Sequence, residues 1–347
     1  MPDVVKNPLR GSGMPGFAPM PAADPAPVAE LLAHCPAHAR TPLVDLAELA
    51  DRAGVAHVLL KDERGRMGLG SFKALGAAYA IAREAADAGG PWATALAGRT
   101  FVTASAGNHG LSVAAGARLF GARARIFLAR TVPEGFAARL AEKGAEVVRA
   151  GATYEESMAA AERAADTGEG TLLSDSSWPG YTDLPWRVME GYLQLAAEAI
   201  EQVGPPPTHI LLQAGVGGMA AAVAAHARAV WGDVPTIVVV EPQAAPALIE
   251  SVRAGRLVTA RGPVSAMGRL DCKTPSMIAL GGLSRDADLF ATVTEEQAQT
   301  AVATLARAGL ATTPSGAAGV AALLAGLPGV GAESRVLAIL SEGAEDG

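Results

Sequence analysis

Apolar residues concentrate in short runs of strand length at 57–61, 100–104, 124–129, 145–150, 209–214, 235–242 and 335–341. Alanine-rich segments with helical spacing lie between them, at 110–120, 154–165, 188–202 and 295–308. The alternation predicts parallel sheets covered by helices on both faces, because parallel strands need crossover connections and those crossovers pack onto the sheet. Residues 131–148 read as one such strand–helix–strand crossover. Residues 11–27, rich in Pro, Ala and Gly, read as irregular.

In open parallel sheets a ligand sits beyond the carboxyl ends of the strands. Two loops fall there. TASAGNHG (103–110) follows one strand-length run and opens a helix, so its amides and small side chains form an anion site suited to a carboxylate. QAGVGGMAAA (213–222) does the same after the run at 209–214, and its three glycines let a phosphate approach the backbone closely. The second loop also comes near a dinucleotide fingerprint, with Ala220 in its sixth position and Asp233 or Glu241 as the ribose-binding acid. That reading leaves Lys73 and the 103–110 loop unexplained.

Lys73 stands in GRMGLGSFKALGAAYA (65–80), between a glycine-rich approach and a small-residue helix. One reading is a solvated cation near a helix start. Against it, a cation in the first turn opposes the helix dipole, and Leu69, Phe72 and Leu75 predict apolar surroundings. Desolvation lowers a lysine pKa, which turns the amine into a nucleophile at neutral pH.

The 347 residues suffice for two domains. A formal charge of −7 argues against a nucleic-acid partner. The two cysteines, Cys35 and Cys272, allow at most one disulfide, and the opening MPDVVKNPLRGSG lacks the apolar core of a signal peptide, so a cytoplasmic protein is expected. The uncharged runs at 208–228 and 308–332 are interrupted by Gln213, His226, Thr312, Thr313 and prolines, which argues against membrane spans. The six histidines show no metal-ligand spacing.

The order TPL (41–43), LLKDE (59–63), GSFKALGA (70–77), TASAGNHG, QAGVGGMAAA and LSEGAEDG (340–347) resembles the fold-type II pyridoxal-phosphate enzymes, the tryptophan synthase β and threonine dehydratase group. Within it, SDSSWPGYTDLPWRVMEGY (174–192) looks most like the diaminopropionate ammonia-lyases. The resemblance implies two open, mainly parallel twisted sheets with pyridoxal 5′-phosphate between the domains. It also implies a larger cofactor domain (1–85 and 192–347), a smaller mobile substrate domain (86–191) and a homodimer. Lys73 would carry the cofactor as a Schiff base, with Phe72 beside it. Asn108 would bond the pyridine O3′, Gly215, Val216, Gly217, Gly218 and Met219 the phosphate, and Ser341 the ring nitrogen. Thr103, Ser105, Asn108 and His109 would hold the substrate carboxylate. No metal is implied.

The implied reaction is α,β-elimination from an L-amino acid, giving ammonia and a 2-oxo acid, with 2,3-diaminopropionate as substrate. An L-serine, L-threonine or 3-hydroxy-amino-acid dehydratase is the alternative. A β-replacement synthase of the same fold, or a cofactor-binding protein without turnover, would show the same motifs. Ala106 departs from the pattern, since the lyases carry aspartate there and racemases of this fold serine; Lys73 is then expected to be the only base. ATTPSGAAG (311–319) resembles a dehydratase's EPSGAAG with Thr312 or Thr313 in place of the acid. Asp175 is either a turn residue or the catalytic carboxylate that meets a β-ammonium group. Trp178 and Tyr181 are expected in the pocket wall, and Asp271, Cys272 and Lys273 near the site.

Overall fold

The computed structural model describes residues 2–344. Its strands are β1 (Val4–Lys6), β2 (Leu43–Asp45), β3 (His57–Asp62), β4 (Thr100–Ala104), β5 (Arg123–Leu128), β6 (Ala145–Arg149), β7 (Thr171–Leu172), β8 (His209–Gln213), β9 (Thr236–Pro242), β10 (Leu289–Val293) and β11 (Arg335–Leu340). One sheet has seven of them in the order β1-β10-β9-β8-β11-β3-β2, and the other has four, β6-β5-β4-β7. All pairings are parallel except those of β1 and β2, which close the two edges of the larger sheet antiparallel. The smaller sheet is inserted in the chain between β3 and β8, and helices flank both. The 131–148 crossover is built as expected, with the helix Glu134–Glu142 joining β5 to β6. Among the described residues no helix is long and apolar enough to cross a membrane.

The seven strand-length runs correspond to strands, within a residue or so at each end. β1, β2, β7 and β10 went unread. The first three have two or three residues, too few to show a period. β10 is LFATV, an apolar run of strand length like the one at 100–104, and it pairs in parallel with β9. The expected helix at 188–202 is two helices, Asp183–Gly191 and Leu193–Gln202, meeting at Tyr192. The break coincides with a close helix crossing: a Cβ on Gly191 would stand 2.7 Å from the Leu75 carbonyl, and one on Gly76 2.6 Å from the Tyr192 ring. The crossing places Tyr192 beside the start of the Lys73–Ala88 helix.

The approach to that helix rests on buried charge. Arg66, Lys61, Glu63 and Glu198 are each at most 2% exposed. Arg66 donates to both Glu63 oxygens at 2.7 Å, to Glu198 at 2.7 and 3.0 Å, to the Ala39 carbonyl at 2.8 Å and to Thr41 Oγ1 at 2.9 Å. Lys61 Nζ donates to Glu198, Gln202 and the Thr41 carbonyl at 2.7 to 2.8 Å. Burial pushes the Glu198 carboxyl up, but Arg66 and Lys61 outweigh it and bring it down to about 2. Its ionised form therefore stabilises the fold fully above its ordinary value of 4.5, and this contribution is lost as pH falls through about 2. Glu198→Gln leaves Arg66 and Lys61 short of charge and should cost about 3–5 kcal/mol in urea unfolding at pH 7. The gap between variant and wild type should narrow as the pH is lowered from 4.5 towards 2. A gap that does not change with pH would mean that the carboxylate charge is not what stabilises.

Candidate active site

After Arg66 the chain turns through Met67, Gly68 and Gly70, all at positive φ, and delivers Lys73 to the first position of its helix. Phe72 N–H bonds the Ser341 carbonyl at 3.1 Å, and Ser71 bridges Glu342, so the lysine loop is pinned to the end of β11. Lys73 Nζ lies 5.4 Å from the Phe72 ring centre and forms an ion pair with Asp175. The Phe72 ring in turn meets Tyr192 edge-on at 5.0 Å. Burial pushes the Lys73 ammonium down, as the sequence suggested. The charge and hydrogen bond of Asp175 outweigh it, and the amine is held above its ordinary value. Burial likewise pushes the Asp175 carboxyl up, while Lys73 and then His109 hold it well below the carboxylate range. The expectation of a depressed lysine pKa is thus corrected, because the sequence does not show that a carboxylate 102 positions away reaches it.

Asp175 lies at a bend just before a tight turn. Trp178 and Tyr181 exchange backbone hydrogen bonds at 3.2 and 2.9 Å and stack at 4.5 Å. The Tyr181 hydroxyl donates to the Leu172 carbonyl and accepts from Ser174 N–H. Ser177 docks on Ser276 at 2.7 Å, at the start of the helix Met277–Asp286. These braces fix the backbone on either side of Asp175.

The 103–110 loop enters from the smaller sheet. Thr103 Oγ1 is fully buried and has no hydrogen-bond partner among the described residues. Ser105 Oγ accepts from Gly107 N–H at 3.2 Å. Asn108 opens the helix Asn108–Leu119, and its Nδ2 donates to Glu342 at 2.5 Å. His109 bonds the Leu173 carbonyl through Nε2, and its buried Nδ1 has no partner among the described residues. Burial lowers its pKa, so the ring is neutral. Arg269 crosses from the other sheet to the Ala106 carbonyl at 3.2 Å. The 213–219 loop forms a cradle at the start of the helix Gly218–Trp231. A Cβ on Gly215 would sit 3.0 Å from Cys272 Sγ and from the Arg269 carbonyl, and Gly217 has φ 97°. Cys272 is a free thiol that burial pushes up to about 12, so it is not a nucleophile at neutral pH. Asp271 and Lys273 pair at 2.5 Å and brace their own loop.

A family model for pyridoxal-phosphate dependent enzymes matches residues 35–342. The chain belongs to this family. It is 34% identical over 266 residues to the diaminopropionate ammonia-lyase of Salmonella typhimurium, a match covering 70% of this chain and 66% of that enzyme. It is 31% identical to the human L-serine dehydratase/L-threonine deaminase, covering 76% of this chain and 74% of that protein. The crystal structure of diaminopropionate ammonia lyase from Escherichia coli in complex with an aminoacrylate-PLP azomethine reaction intermediate superposes with a TM-score of 0.87. That pair is 28% identical and covers 99% of this chain and 94% of the other.

The residues present fit the cofactor of the pyridoxal-phosphate family. The floor against which a Gly215 Cβ would collide leaves bare backbone facing the cradle, and the first N–H groups of a helix have no intrahelical acceptors and attract a phosphate dianion. Gly215, Val216, Gly217, Gly218 and Met219 would hold that group, Lys73 the carbonyl carbon, and Asn108 and Ser341 the ring edge. Sequence reasoning passed over Glu342 and Arg269, which were hidden among surface-like charges. It also passed over Tyr154, half exposed yet within electrostatic reach of Asp175, Cys272 and Lys73. With Asp175 removed, the largest influence raising the lysine is gone and burial pulls it down. Asp175→Asn should therefore move the pH midpoint for capture of pyridoxal phosphate by the apoprotein downward by about one unit or more. Absorbance during reconstitution across pH measures this, and an unmoved midpoint would show that Asp175 does not set the charge of Lys73.

Proposed function

We propose that the protein is a pyridoxal-phosphate-dependent ammonia-lyase that converts L-2,3-diaminopropionate and water to pyruvate and two molecules of ammonia. The observation that carries this reading is the Lys73–Asp175 pair. To act as a base Lys73 must be neutral, and Asp175 then loses its cation in a largely buried setting. The β-ammonium group of diaminopropionate supplies the missing charge, whereas the hydroxyl of serine or threonine leaves the carboxylate uncompensated.

The bound cofactor withdraws electrons from the substrate α-carbon. Lys73 Nζ takes the α-proton. Asp175 orients the β-ammonium group and steadies its charge until it leaves as ammonia. Thr103, Ser105 and the amides about Asn108 and His109 hold the substrate carboxylate. Phe72 and Tyr192 keep water from the lysine. Ser341 offers the ring nitrogen a neutral partner, which suits elimination rather than prolonged carbanion chemistry.

An L-serine or L-threonine dehydratase is the second reading, favoured by Ala106 in TASAGNH and by Thr312 and Thr313 in the 311–319 segment. The proposal also takes the working unit as a cytoplasmic homodimer in which residues 86–191 move against 1–85 and 192–347. The family resemblance supports the dimer and the division, and the composition supports the compartment.

Charge complementarity decides between the two substrate classes. Asp175→Asn should reduce kcat/KM for diaminopropionate about ten- to a hundredfold more than for serine, the equivalent of a charge-assisted hydrogen bond. Equal losses would favour the dehydratase.

Stereochemistry gives an independent check. Enantiomers anchored by the same carboxylate loop present the α-proton to opposite faces, and Ala106 offers no base on the face away from Lys73. Ammonia release from D-diaminopropionate should be at least about a hundredfold slower than from the L-form, and Ala106→Asp should raise the D-rate. Comparable wild-type rates would mean that another acid reaches the second face.

A further inference from the structure

Glu342 is 5% exposed and lies one residue beyond Ser341, where β11 ends. Four segments converge on it. Asn108 Nδ2 donates to Oε2 at 2.5 Å, and Thr313 Oγ1 donates to Oε1. Arg269 Nε stands 3.9 Å from Oε2. The Glu342 backbone pairs with Ser71, two residues before Lys73, and its carbonyl accepts from Thr312 Oγ1 at 2.5 Å. The contact with Asn108 joins the larger sheet's end to the loop of the smaller one, and Arg269 adds a second tie at the Ala106 carbonyl.

We propose that Glu342 is a positioning residue that fixes the amide of Asn108 for the cofactor. The proposal rests on the reading of Asn108 as a cofactor ligand. Two pieces of chemistry support it. An ionised carboxylate only accepts hydrogen bonds, so it admits one orientation of the Asn108 amide, with Nδ2 inward and Oδ1 turned away. One N–H of Nδ2 is then used by Glu342 and the second is left as a donor, which is what a phenolate oxygen at the ring edge requires. Thr312 and Thr313, the two residues in place of the missing acid, both hydrogen-bond to Glu342, one to its backbone and one to its side chain. The negative charge is thus held at position 342 instead of in the 311–319 segment. Without it the amide could face either way.

A double-mutant cycle on cofactor affinity tests this, using Glu342→Ala, Asn108→Ala and the pair, with equilibrium dialysis of pyridoxal phosphate against the apoproteins. Each single variant should weaken binding about tenfold, the effect of one lost hydrogen bond of this kind, and the double variant no further than the weaker single. The visible band of holo Glu342→Ala should also titrate at lower pH than wild type, because a nearby negative charge favours the protonated chromophore. Glu342→Gln runs through the same cycle should the alanine variant fail to fold, with a smaller loss because its amide oxygen can still accept. Additive losses, or unchanged affinity and band position in a folded Glu342 variant, would overturn the proposal. Normal behaviour of Asn108→Ala with a clear loss in Glu342→Ala would do the same. Failure of the wild-type protein to bind pyridoxal phosphate would instead remove the cofactor reading on which it rests.

Discussion

The position of Lys73 depends on four charges that water cannot reach. Moving Arg66, Lys61, Glu63 and Glu198 out of water is expensive, several kcal/mol for each ion even after relaxation. The arrangement persists because the hydrogen-bonding groups are met: Arg66 reaches two carboxylates, a hydroxyl and a carbonyl, and Lys61 uses three donors on three acceptors. A fully satisfied buried network specifies one geometry, since any displacement exposes an unpaired charge to a low dielectric. Its members come from the 39–41 segment, from the end of β3, from the turn that follows and from the helix Leu193–Gln202. The turn bearing Arg66 leads within seven residues to Lys73. The Lys73 amine is therefore anchored through its backbone by charges that do not touch it.

The second ion pair, between Lys73 and Asp175, is of a different kind. Its partners are 21% and 18% exposed rather than sealed, and each is the other's strongest charged partner. An ion pair of this sort can exchange one cation for another, which a network as saturated as that of Arg66 cannot. The surroundings keep the exchange simple. His109 is neutral, Cys272 stays a thiol and the Tyr192 hydroxyl is pushed up by burial, so near neutral pH none of these three competes for the proton or the charge. Under the proposed function, what would distinguish an amine leaving group from a hydroxyl in such a pocket is whether it brings a positive charge to Asp175.

Much of this was legible in the chain. Long strand-length runs, the glycines of 213–218 and the small residues around Asn108 announce themselves because the backbone geometry demands those residue types locally. Lys73 was legible for the opposite reason, as a cation that local rules disfavour. The parts that were not legible are all long-range. The sign of the Lys73 shift depends on a segment that folds back from another sheet. Lys61, Glu63 and Arg66 stand in a stretch as charged as any surface loop, and only tertiary contacts show them to be the driest ions of the larger sheet. Glu342 sits in LSEGAEDG, where nothing in the local sequence marks it as a buried acid.

The mixed character of the motifs has a spatial resolution. Along the sequence, 103–110 and 311–319 point to a dehydratase while 174–192 points to an ammonia-lyase. In the structure these segments occupy separate places. The 174–192 segment brings Asp175 to Lys73. The 103–110 loop comes from the smaller sheet, with Ala106 beside Arg269 and Asn108 against Glu342. The 311–319 segment, with Glu342, supports the asparagine from behind. On the proposed reading, leaving group, stereochemistry and cofactor seating would fall to different stretches of chain that meet at the carboxyl ends of the two sheets. The 103–110 and 311–319 segments are joined through Glu342, whereas Asp175 meets Lys73 from a separate stretch, so under the proposed function Asp175 is the residue from which the substrate is best read.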